Sequence, residues 1–177
     1  MAPNVLFIIC DQLRADHLGF AGNQVVRTPH IDSIAARGMV FDNAWVANPV
    51  CMPNRSTIMT GRMPTAHGVV FNDRSLDWGA NTHVRTFREA GYRTALIGKS
   101  HLQHGLSRNA IVAVDRQPVS ADPWTTGWNQ LEHAERYDGG IPDWPDDFYG
   151  FDHVELSIDH GARITGHHLH WALDRGG

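Results

Sequence analysis

The chain has 177 residues, enough for one domain with a sizeable core, and 42% of them are hydrophobic. A formal net charge of −4, with no run of Lys or Arg, argues against nucleic acid as the main partner. No apolar stretch approaches transmembrane length, so no membrane role is expected, and two cysteines cannot build a disulfide framework.

Met1-Ala2-Pro3-Asn4 lacks the basic start of a signal peptide, and the apolar run behind it is too short for one, which predicts a cytoplasmic protein. That run, Val5 to Cys10, has the length of a central buried strand and ends at Asp11-Gln12, where open α/β sheets place ligand groups. Thr28-Pro29 reads as the cap and first residue of a helix with Ile31, Ile34 and Ala35 on its apolar face and Gly38 as its stop. Met39 to Val46 alternates like a second strand. A short helix follows the turn at Cys51. Asn81 is expected to cap another, with Val84, Phe87 and Ala90 inside and Gly91 at its end.

Tyr92 to Ile97 predicts a strand that runs into Gly98-Lys99-Ser100-His101. From Leu102 to Gly150 the pattern weakens: Trp124, Trp128 and Trp144 are interleaved with Pro, Gly and Asp, the composition of a covering or functional loop. Phe151 to Ile158 predicts a strand, and about Asp159 to Asp174 a helix with Ile164, His168 and Trp171 near one face. Strand–helix alternation of this kind argues for one α/β domain over 1–177, three layers deep around a mostly parallel sheet. The 12 histidines are scattered, so spacing and neighbours, not abundance, must single out any that bind.

The richest local chemistry lies in Cys51-Met52-Pro53-Asn54-Arg55-Ser56-Thr57-Ile58-Met59-Thr60-Gly61-Arg62. Pro53 suits a first helical turn, which puts the Cys51 thiol at a helix N-terminus where unpaired N–H groups favour an anion. Arg55 adds a planar cationic fork matched to carboxylate, phosphate or sulfate. Asp11 and Gln12 offer adjacent oxygen donors of the kind a hard divalent cation takes. Lys99 and His101 place an ammonium and an imidazole at a strand end.

Cys-x-Pro-x-Arg followed by Ser-Thr-Ile-Met-Thr-Gly-Arg resembles the signature of the type I sulfatases, in the alkaline phosphatase superfamily. Gly91 through His101 resembles the family's second signature. The resemblance runs from Asn4 through the last predicted helix and is strongest up to His101. It implies an alkaline phosphatase-like αβα fold and hydrolysis of small-molecule sulfate esters. It further implies that a formylglycine-generating enzyme oxidises Cys51 to formylglycine, the nucleophile. Cys51, Arg55, Lys99 and His101 are the implied catalytic residues. Asp11, Gln12 and position 51 are the implied ligands of a divalent metal, Ca²⁺ first, with Mn²⁺ or Mg²⁺ as alternatives. Lys99, His101 and Asn72 are the implied substrate contacts, and His67 and His104 are expected to be structural.

Gln12 stands where many members carry a second Asp, which leaves phosphonate monoesters or phosphodiesters open as substrates. A non-catalytic anion-binding fragment with an unmodified Cys51 is the third reading. Members of the family are considerably longer, and their remaining metal ligands lie further downstream. Asp159-His160 follows the second signature too closely to be that pair. The chain is therefore expected to be an N-terminal portion, lacking the smaller C-terminal subdomain and holding half a metal site, with little activity alone.

Overall fold

A computed structural model describes residues 2–72, 74–104 and 127–176. The chain divides into two compact units, Met1–Trp45 and Val46–Gly177.

In the first unit Pro29 opens helix α1 (Pro29–Ala35), where its missing N–H costs nothing. Thr28 precedes it as foreseen, but its hydroxyl does not cap the helix. It donates to Asp32 Oδ1 (2.8 Å) and accepts from the Gly19 amide (2.8 Å), while Asp32 Oδ1 also accepts from the Phe20 amide (2.9 Å). One threonine and one aspartate thus tie the helix to the turn at 19–20. The two strands expected here are not formed. Val5 to Cys10 and Met39 to Val46 lie outside the described strands, and Leu6 and Trp45 are 85% and 90% exposed. The reason is that a strand is completed by its neighbours. An apolar run supplies the propensity, but the ladder and the cover over each face must come from other segments.

The second unit carries the remaining regular elements. Helix α2 (Cys51–Thr60) starts at the cysteine and ends at Gly61, which takes the left-handed conformation and donates its N–H to Thr57 O. Helix α3 (Pro64–His67) again opens on proline and ends at a left-handed glycine, Gly68. Helix α4 (His83–Glu89) is capped by Thr82, not Asn81: the Thr82 hydroxyl accepts from the Arg85 amide (3.2 Å) and donates to Tyr149 O (2.7 Å). The cap is therefore also a long-range tie.

Strand β1 (Ala95–Gly98) pairs in parallel with β2 (His153–Ile158), Leu96 opposite Val154. The short β3 (Thr165–Gly166) adds to β2 antiparallel, and helix α5 (His167–Leu173) follows directly. The expected helix from 159 is thus shorter, because β3 claims Thr165 and Gly166 and leaves Ile164 outside it. Met52, Met59, Val84, Leu102, Phe148 and Tyr149 form the centre of the buried core, with Trp78 and Trp144 packed against it. Of the tryptophans in the irregular stretch, Trp124 lies outside the described residues. Among those residues no helix is long and apolar enough to cross a membrane.

Candidate active site

Cys51 is the first residue of α2 and is half-buried. The N-cap residue, Val50, has no polar side chain, so the orphan N–H groups of the first turn need partners from elsewhere. Asn72 supplies one: its Oδ1 accepts from the Met52 amide at 2.8 Å, across twenty positions of sequence. Asn48 Oδ1 accepts from the Val50 amide (2.8 Å) and fixes the turn that leads in.

Four residues on, Arg55 is 7% exposed. Its guanidinium donates through Nη1 to Lys99 O at 2.8 Å, so the helix is pinned to the end of β1. Just past that strand end, Lys99 and His101 line one cavity of about 220 Å³, together with Asn72, Glu132, Ser157 and His160. The family resemblance implies Lys99, His101 and Asn72 as substrate contacts, and the three line this one cavity.

Two cavity residues were not foreseen in this role. His160 follows β2; its Nε2 contacts Lys99 Nζ, and its Nδ1 lies 3.1 Å from Asp159 Oδ1. An Nδ1–H donated to the carboxylate leaves Nε2 as the acceptor for the ammonium. His160 also has a ring nitrogen within 4.8 Å of Cys51 Sγ, and its ring meets that of His101 edge-on at 6.4 Å between centroids.

Glu132 is 3% exposed. Its Oε2 accepts from the His101 amide (2.7 Å) and its Oε1 from the Leu102 and Gln103 amides (2.9 and 3.0 Å). Burial raises its carboxyl above the ordinary carboxylate range, with these backbone bonds acting the other way. No periodic pattern or neighbouring acid marks Glu132 in the sequence; only Asp159-His160 carried a visible signal.

Four described non-glycine residues have left-handed φ: Gln12 (51°) and His101 (52°), both predicted site residues, and Tyr149 (53°) and Asp159 (68°), which were not. Such conformations persist where surroundings over-determine them, often at functional sites. His67 and His104 are buried, as expected of structural histidines.

In the first unit Asp11 and Gln12 form an exposed turn directly behind the apolar run. A carboxylate and an amide carbonyl on consecutive residues are hard oxygen donors, and they fit a cation such as Ca²⁺ as two of its six to eight ligands. Formylglycine also fits position 51, because an aldehyde oxygen replaces the sulfur without adding a heavy atom.

In an α/β unit, Lys99, His101 and His160 line one cavity, and His160 approaches a cysteine at a helix start. The sulfatase family model matches residues 3–139, and the chain belongs to that family. It is 41% identical to an arylsulfatase of Clostridium perfringens over 103 residues, 58% of this chain and 21% of that protein. It is 30% identical to an N-acetylglucosamine-6-O-sulfatase of Bacteroides thetaiotaomicron over 145 residues, 82% of this chain and 23% of that one. The crystal structure of Ps i-CgsB superposes with a TM-score of 0.58 at 25% identity, covering 87% of this chain and 28% of that one. The chain thus spans about a fifth of the length of these curated relatives, and its fold is alkaline phosphatase-like.

Proposed function

We propose that this chain carries the nucleophile side of a sulfate ester hydrolase site that acts on small-molecule sulfate esters. The observation that carries the reading is the convergence of Lys99, His101, His160 and Asn72 on one cavity beside the start of α2. Family membership supports sulfate as the group held there.

Formylglycine formed from Cys51 would supply a hydrated aldehyde as the nucleophilic group at the start of α2. The chain's own residues do the rest. Lys99 presents an ammonium that can hold the negative charge carried by the nonbridging oxygens of the sulfate. His101 and His160 place two imidazoles, groups able to give or take a proton, on the same cavity wall. Arg55, through the Lys99 carbonyl, and Asn72, through the Met52 amide, fix the strand end and the helix start that carry these groups. Asp11 and Gln12 would hold the divalent cation, whose charge polarises an oxygen ligand.

The test is co-expression of the chain with a formylglycine-generating enzyme, followed by intact mass and by rates on the sulfate and phosphonate esters of one phenol. An aldehyde mass at position 51 with sulfate preferred supports the reading. A retained thiol mass leaves an anion-binding chain and removes the catalytic reading. Preference for the phosphonate would assign the Gln12 departure to substrate class.

A further inference from the structure

Three consecutive backbone amides converge on one buried carboxylate next to the cavity. His101 N–H uses Glu132 Oε2 alone, while Leu102 and Gln103 share Oε1. A carboxylate 3% exposed is costly unless charge-assisted hydrogen bonds compensate it. The same bonds explain how His101, a residue with a β-carbon, keeps φ at 52°. Glu132 reaches this turn from thirty-one positions away and shares the cavity wall with Lys99 and His101.

We propose that Glu132 is a positioning residue of this site: its carboxylate clamps the backbone of 101–103 and so sets where His101 and Lys99 meet a bound oxyanion. The oxyanion part of this statement rests on the proposed function; the clamp itself does not. With three donors satisfied by one acid, the negative charge is spent on the backbone instead of opposing an incoming anion.

The asymmetry of the clamp makes it testable. In Glu132→Gln the amide oxygen can serve Leu102 and Gln103 together, which turns the NH₂ group toward the His101 N–H. Amide exchange at His101 should then rise about tenfold or more, with Leu102 and Gln103 within about threefold, whereas Glu132→Ala should release all three. Inorganic sulfate, followed through the His101 ring resonances, should bind several-fold more weakly to Glu132→Gln. A His101 amide that exchanges as before, or a loosened His101 with unchanged sulfate affinity, would overturn the proposal.

Should either variant unfold, the unaltered chain decides. On pH titration the amide shifts of 101, 102 and 103 should share one midpoint with the Glu132 carboxyl carbon, and separate midpoints would overturn the clamp. If the unaltered chain binds no sulfate, the proposed function fails, while the exchange pattern and shared midpoint still judge Glu132.

Discussion

Arg55 does most of its visible work through its backbone contact. Its side chain is buried, and the 2.8 Å bond from Nη1 to Lys99 O joins α2 to the end of β1. A lysine at 55 keeps the charge but not the planar fork, so Arg55→Lys should lower stability by about 1–2 kcal/mol in urea unfolding. An unchanged midpoint would mean that the bond carries no net stability. The contrast with Glu132 shows which residues can be read from sequence. Cys51, Arg55, Lys99 and His101 sit in contiguous runs whose turn, helix-start and strand-end chemistry is local. Glu132 is a solitary acid in an irregular stretch, and its meaning lies in three amides that only the folded chain brings to it.

At the scale of elements, ends matter more than interiors. Helices α1, α2 and α3 keep proline within their first turn, and α2 and α3 end on left-handed glycines, so their limits follow from backbone chemistry near at hand. The cap of α4 moved from Asn81 to Thr82 because Thr82 also reaches Tyr149 O, a partner sixty-seven positions away. That junction is tight: Gly150 has φ of 100°, and a β-carbon there would sit 2.6 Å from the Arg85 amide nitrogen. Gly150→Ala should therefore cost about 2 kcal/mol or more, through positive φ and a clash with backbone that cannot swing aside. Thermal unfolding checks it, and a near-neutral result would show that α4 can shift on the core. Strands were legible only where a partner was present. Tyr92–Ile97 and Phe151–Ile158 were anticipated, and β1 and β2 form within a few residues of those limits. The equally apolar Val5–Cys10 has no ladder among the described residues.

At the scale of the whole molecule, one buried and one partly buried imidazole, His67 and His167, couple the fold to pH. His67 Nδ1 accepts from the Val69 amide (3.2 Å) while Nε2 faces the Thr57 hydroxyl (3.0 Å), and His167 Nδ1 accepts from the Leu156 amide (3.1 Å). Each ring must be neutral at Nδ1, and burial holds both below the ordinary histidine value of 6.5. The unfolded chain then takes the proton first. Their contribution is complete above 6.5 and is lost as pH falls through the folded values. Glu132 has the opposite sign: its raised value favours the fold below the ordinary 4.5, and that contribution is lost as pH rises through the folded value. Subtracting one histidine separates the two. The loss of melting temperature between about pH 7.5 and pH 5.5 should shrink in His67→Gln relative to the unaltered chain. An identical loss would remove His67 from the acid response. The α/β class could be inferred from strand–helix alternation, because alternation is a property of the chain. Which strands pair could not be, because pairing is a property of segments distant in sequence.

Gln103 returns what Glu132 gives. Its side-chain amide donates to Trp128 O (2.9 Å) and accepts from the Leu131 amide (2.8 Å), while its own N–H goes to Glu132. Each of these two residues thus serves the other's backbone neighbourhood. The two segments are thereby latched twice, once by a side chain from each, so losing either side chain leaves the other latch in place.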